Sequence, residues 1–206
     1  TKLQNSKEIK KLFNCFSNFS DESEIRFVGG CIRKILNKEQ IDDIDLATNI
    51  TPQEIKIALD KFNLKYFEPG IKHGTISSII NEKKFEITSL RKDISTDGRH
   101  AKVEFTKDWL IDASRRDFTI NSIYSDLDGN LFDPFEGKFD LENGQVKFIG
   151  NPEIRIQEDY LRIMRYIRFF LNYSEIPHDE NIKKIIYKNI NGIKNLSKNR
   201  ILDELK

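Results

Sequence analysis

The chain has 206 residues, 38% hydrophobic and 33% charged, with a formal net charge of +1. Fifteen Phe and abundant Ile supply a core, which excludes wholesale disorder, and no apolar run approaches the roughly 18–20 residues of a membrane span. The near-neutral total hides an asymmetry, because residues 155–206 hold eleven Lys/Arg against seven Asp/Glu and leave the rest mildly acidic.

In chain order, residues 5–19 place Ile9, Leu12, Phe13 and Phe16 on one helical face. The first residues, TKLQNSKEIKK, lack the apolar stretch of a signal peptide. Cys15 and Cys31 have no metal-like spacing and read as reduced thiols of a cytoplasmic protein. EIRFVGG (24–30) is a short strand ending in two glycines, CIRKILNK is a helix starting directly after them, and DDIDLAT (42–48) is a second strand. Thr51, Pro52 and Glu54 open a helix as N-cap, first position and capping-box acid. GTISSIIN and KKFEITSLR alternate like a hairpin about Asn81-Glu82-Lys83. STDGRHAKVEFTKDW (95–109) is polar and irregular and reads mostly as a mobile loop. DFTINSIYSD begins helical, LDGNLFDP turns into a strand, and DPFEGKFDLENG reads as a loop. From residue 150 the pattern is helical to the end. Strands joined mostly by hairpins, with helices among them, favour a mixed sheet in an N-terminal unit ending near Ile149.

Five constellations could carry chemistry. Gly29 and Gly30 sit between a strand and a helix, where backbone N–H groups can cradle a phosphate and Arg33 can add a bidentate charge; a tight strand-to-helix turn is the alternative. Asp43 and Asp45 share a strand face because the side-chain period is two. A divalent cation relieves their repulsion, and Mg²⁺ prefers such oxygen ligands; solvated acids at a strand end are the alternative. Asp42 falls on the other face. Glu86 is an acid in a β-rich run, a third carboxylate if its strand lies beside the first two and an ordinary exposed position otherwise. In SRRDFTINS, Arg115 or Arg116 can reach a phosphate and Asp117 or Asn121 a ribose hydroxyl, while Asp117 could simply cap a helix.

The fifth is QEDYLRIMRYIRF (157–169), read as one amphipathic helix. At about 100° per residue, Tyr160, Ile163, Met164, Ile167, Phe170 and Leu171 form an apolar arc, with Arg162, Arg165 and Arg168 fanned across the opposite side. That face carries arginine and no lysine, the choice where planar bidentate bonding matters. A solvated basic face is the alternative.

In this order and spacing, VGGCIRK…DIDLAT, FEITSLR, DGRHAKVEF, SRRDFTINS, LFDPFEGKFDLENG, GNP and RIQEDYLRIMRYIRFF resemble the class II tRNA nucleotidyltransferases, the CCA-adding enzymes, and the related bacterial poly(A) polymerases. The resemblance covers nearly the whole chain. It implies an α+β fold: a polymerase-beta-like nucleotidyltransferase head with a small mixed sheet (1–149), then a helical neck (150–206), with the family's body and tail absent. It implies that Gly29, Gly30 and Arg33 meet the triphosphate, that Asp43 and Asp45 hold catalytic Mg²⁺ with Glu86 assisting, and that Arg116 meets phosphate with Asp117 and Asn121 near the ribose. Asp159 and Arg162 would read the edge of the incoming C or A, and Arg165 and Arg168 would reach the triphosphate. The implied activity is CCA addition to tRNA 3′ ends from CTP and ATP. The neighbouring alternatives are A-only or poly(A) addition, CC addition, and a nucleotide- or RNA-binding module without catalysis. Two positions depart from the family pattern: Lys34 stands where an acid usually follows the motif arginine, and Cys31 replaces a small residue. The chain reads as a fragment of a longer protein.

Overall fold

The computed structural model describes residues 3–41, 43–96 and 101–205. Helix α1 (Lys7–Ser17) leads to strand β1 (Ile25–Val28), which runs into α2 (Gly30–Leu36) through Gly29. Strand β2 (Ile44–Thr48) is followed by α3 (Pro52–Lys61), which starts on the expected capping box of Thr51 and Glu54. Strands β3 (Lys65–Gly70), β4 (Thr75–Ile80) and β5 (Lys83–Ser89) form a meander, and β6 (Arg91–Thr96) pairs with β7 (Ala101–Phe105). Helix α4 (Trp109–Ser114) precedes the short strands β8 (Tyr124–Ser125) and β9 (Leu131–Phe132) and helix α5 (Gly137–Glu142). The chain then continues through α6 (Pro152–Glu158), α7 (Leu161–Tyr173), α8 (Glu180–Asn189) and α9 (Lys198–Leu205).

Among the described residues the main sheet has the order β3-β4-β5-β2-β1-β8-β9. It is mixed: β2 and β5 run parallel and the other pairs antiparallel. Leu46, Phe85 and Ile87 are buried on one face with Ile9, Leu12 and Phe16 of α1 and Ile55 and Leu59 of α3. Each such side chain contributes about 1.5–3 kcal/mol of burial. On the other face, Val28 and Ala47 pack with Leu90, Ala113 and Tyr124. A third cluster joins Phe118, Ile120 and Phe148 to Ile156, Ile163, Tyr166 and Phe169, so the C-terminal helices share a core with the segment before them.

Several expectations change. Residues 65–70 form an unanticipated strand, β3, at one end of the sheet order. Residues 101–105 of the supposed loop 95–109 are strand β7, β6 runs into its start and α4 begins at its last residue; Leu90 bonds both Thr48 and Thr106 and anchors the hairpin to the sheet. Residues 97–100 of that stretch lie outside the described residues, as does Asp42. DPFEGKFDLENG contains helix α5, because the Asp133 carboxylate accepts from Gly137 N and Lys138 N at 2.8 Å each. Gly137 fits there for want of a Cβ, which would meet Thr119 O at 2.1 Å.

The stretch 157–169 is two helices. Asp159 is extended (φ −156°, ψ 107°) and separates α6 from α7. The buried stripe of α7 is Ile163, Tyr166 and Phe169, whereas Ile167 and Leu171 are 40% and 76% exposed. The true inner face is thus rotated towards the arginines, so that Arg162 and Arg165 border it and Arg168 alone stays on the far side. An apolar arc this broad fits either rotation, and packing against Phe118 and Phe148 selects one.

Candidate active site

Parallel pairing sets Asp45 of β2 directly beside Glu86 of β5, on strands ~4.8 Å apart. Both lie on the sheet face opposite Leu46, Phe85 and Ile87. Asp43, just before β2, is exposed at the edge of this group. Burial pushes the Asp45 carboxyl above its ordinary value, Glu86 and Asp43 push it further, and Arg116 opposes them. Lys84 makes a 2.5 Å ion pair with Glu86. Among the described residues no three Asp, Glu, His or Cys side chains close into a ring for an ion. The donor set is nonetheless of the kind Mg²⁺ takes, one or two carboxylates with phosphate oxygens and water completing the shell, and a cation would offset both the burial and the repulsion that raise Asp45.

The glycine turn adjoins this group. Gly29 has φ +66° and ψ −121°, a conformation nearly confined to glycine. Beside it, Arg116 donates from Nε to the Tyr124 hydroxyl (2.9 Å), from Nη2 to Asp112 (3.1 Å) and from Nη1 to Asn121 O (3.4 Å). A guanidinium has five N–H groups, so two remain for a ligand. A Cβ on Gly29 would lie 3.5 Å from Arg116 Nη1, which places the free end of that side chain over the turn.

Asp112 organises this corner. It also accepts from Tyr124 (2.7 Å), from Arg115 (2.8 and 3.0 Å) and from Arg91 N (3.1 Å). Burial pushes its carboxyl up, but Arg116 and Arg115 outweigh burial and hold it at about 2. Neither Asp112 nor Tyr124 figures among the residues singled out from the sequence. The available signal was position: Asp112 precedes Arg116 by one helical turn.

Arg33 lies deeper than a phosphate-binding side chain reaching from α2 would. It is 7% exposed, donates to Asn121 Oδ1, and has its guanidinium 4.7 Å from the Phe169 ring centroid and 4.9 Å from that of Tyr173. Asn121 Nδ2 donates to Asp117 (2.9 Å), and Arg165 Nε donates to the other Asp117 oxygen (2.7 Å). Arg165 also reaches Glu204 (3.4 Å), which pairs with Arg168 at 2.6 Å. A continuous polar chain therefore runs from α2 to α9. Burial opposes ionisation of Asp117, yet Arg165 and its hydrogen bonds hold the carboxyl below its ordinary value.

Asp159 and Arg162 are neighbours that do not pair with each other through their side chains. Asp159 accepts from Leu161 N (3.1 Å) and pairs with Arg200 at 2.7 Å. Arg162 bonds Glu158 (2.5 Å) and Arg155 O (2.7 Å). Helix α9 thus supplies both Arg200 and Glu204, one turn apart, to the residues expected to meet a nucleotide.

Residues 25–147 match the family model described as "Poly A polymerase head domain". The chain belongs to that family. Curated relatives named "CCA tRNA nucleotidyltransferase 1, mitochondrial" are 47% identical in Homo sapiens and 45% in Danio rerio, each over 90% of this chain and 44% of the relative. A CCA-adding enzyme of Lactobacillus johnsonii is 36% identical over 88% of this chain and 45% of its own length. Among solved structures, the CCA-adding enzyme of Bacillus stearothermophilus in complex with CTP superposes with a TM-score of 0.82 at 27% identity, over 97% of this chain and 48% of that one. A tRNA nucleotidyltransferase complexed with a primer tRNA and an incoming ATP analog gives 0.74 at 25% identity, over 94% and 54%. This chain spans about half the length of the relatives it matches. The mixed α/β head, with its small sheet and flanking helices, is the fold of these relatives. Among the described residues no helix is long and apolar enough to cross a membrane.

Proposed function

We propose that this chain is the catalytic and nucleotide-selecting part of a template-independent RNA nucleotidyltransferase that adds C, C and A to tRNA 3′ ends from CTP and ATP. Residues 1–149 would form the head and 150–206 the neck. The observation that carries the reading is the Asp45–Glu86 pair beside a glycine turn overlooked by Arg116. Relatives named for CCA addition support the choice of substrates.

Asp43 and Asp45 would hold the metal, with Glu86 alongside. Bound Mg²⁺ would supply the charge that acidifies the 3′-hydroxyl and steadies the leaving pyrophosphate. The chain's own residues do the rest. The backbone N–H of Gly30 and the two unspent N–H groups of Arg116 receive the triphosphate, the Gly29 N–H being donated to Ile123 O. Arg165 and Arg168, partly exposed, add positive charge. Asp159, in the break between α6 and α7, accepts from the exocyclic amino group that C and A share and U lacks, and Arg162 donates to a ring acceptor. As built, both are engaged by Arg200 and Glu158, so reading a base requires them to exchange partners. Reduced thiols favour a cytoplasmic location, with the compartment of the mitochondrial vertebrate relatives as the alternative.

The test is Asp43→Ala and Asp45→Asn. Each should lower nucleotide incorporation by about a thousandfold or more, since charge stabilisation dominates such transfers, while CTP binding persists. Incorporation that survived either change would remove the metal assignment.

A further inference from the structure

Three guanidinium groups surround one buried phenyl ring. Arg168 Cζ lies 4.6 Å from the Phe169 centroid, Arg33 Cζ 4.7 Å and Arg165 Cζ 5.5 Å. All three fall within the ~6 Å at which a ring quadrupole attracts a cation. They come from two distant parts of the chain: Arg33 from α2, the others from α7. The ring itself is 2% exposed and held by Phe118 at 5.3 Å and by stacking on Tyr173 at 5.8 Å.

Packing alone does not ask for a phenyl group here, because a leucine would serve a core position as well. The arginines supply the reason. Arg33 is buried, its Nε has no hydrogen-bond partner, and its charge faces the rings of Phe169 and Tyr173. Arg165 and Arg168 are about one-third exposed and share the acids Asp117 and Glu204. Three cations against two carboxylates leave an excess of one positive charge around the ring. Like charges gathered this closely repel, and the ring's negative faces are what allow them to stay together without a full complement of acids.

We infer that Phe169 is a positioning residue for phosphate binding: its ring, backed by the buried Arg33, fixes the placement of Arg165 and Arg168, the two partly exposed arginines, for the triphosphate of the incoming nucleotide. Phe169 touches no substrate and acts through the arginines. The inference rests on the nucleotide-binding reading above and adds a residue to it. Because the array meets phosphates and not the base, disturbing the ring should weaken CTP and ATP alike.

The experiment replaces Phe169 by phenylalanines of increasing fluorine content, which keep the shape and drain the quadrupole. Phe169→Leu serves as a second variant that removes the ring. Titration calorimetry with CTP and with ATP gives affinity, thermal unfolding gives stability, and initial rates split KM from kcat. Progressive fluorination should weaken both nucleotides in step, reaching about tenfold at three fluorines, with KM raised, kcat little changed and the unfolding midpoint lowered slightly as the cation–π attraction is lost. Phe169→Leu should show the same loss together with a lower midpoint. A trifluorinated variant that binds both nucleotides as tightly as the parent would overturn the inference while leaving the nucleotide-binding reading intact. A parent chain that binds neither CTP nor ATP would overturn both.

Discussion

Replacing Asp112 by Asn tests whether the Arg115–Asp112–Arg116 corner stabilises the head as its geometry implies. The carboxylate is 1% exposed and collects bonds from two arginines, a tyrosine and a backbone N–H. Its two oxygens face donors on both sides, so an amide must aim its NH₂ at one set of them. The carboxyl sits at about 2 against an ordinary 3.8, which corresponds to about 2 kcal/mol of stability at neutral pH. Breaking a buried ion pair outright costs about 3–5 kcal/mol, so the Asn variant should lose roughly 2–4 kcal/mol. For a chain of this size that lowers the unfolding midpoint by roughly 5–15 °C. The folded value lies below the unfolded one, so the contribution is complete above 3.8 and disappears as pH falls through about 2. Thermal melts followed by circular dichroism should therefore show a wide gap between parent and variant at pH 7 that closes towards pH 2. An Asn variant as stable as the parent at pH 7, or a gap of constant width across the range, would refute the reasoning.

Two further outcomes follow from the turn and from α9. Gly29→Ala should cost about 1–3 kcal/mol in urea unfolding from backbone strain, because the added Cβ meets its neighbours only at 3.5 Å and 3.6 Å and does not clash; a variant of unchanged stability would contradict the strained turn. Arg200→Ala frees the Asp159 carboxylate and should change the ratio of CTP to ATP incorporation by about threefold to tenfold, a shift of roughly one charge-assisted hydrogen bond at a partly exposed site. An unaltered ratio would remove Asp159 from base selection.

What the sequence made legible was local. The capping box at Thr51, the Gly-Gly turn and the period-two placement of Asp43 and Asp45 depend on residues within a few positions of each other, and the first two appear as read. The pairing of Asp45 with Glu86 is a matter of strand order, which periodicity alone left conditional. The arginines of α7 show the other limit. Their side of the helix was mistaken because the apolar arc is wide enough for two rotations, and the contacts that choose between them come from Phe118 and Phe148. For the same reason Asp159 looked like a helix residue, although it marks a break. Arg200 and Glu204 were passed over because their partners lie 36 to 41 positions away, and Tyr124 and Phe169 because contacts to Asp112 and Arg33 lie 12 and 136 positions away; Asp112 had a local signal in Arg115 and Arg116. Helix α5 was hidden by a glycine that the fold needs for close approach to Thr119.

The most direct test of the account supplies a tRNA lacking its terminal CCA with CTP alone, ATP alone and both, in the presence of Mg²⁺, and resolves the products at single-nucleotide length. The account predicts two added residues with CTP alone, three with both nucleotides, and no extension beyond the third. Addition of A from ATP alone to the tRNA lacking its CCA, or extension into a run of A, would contradict it.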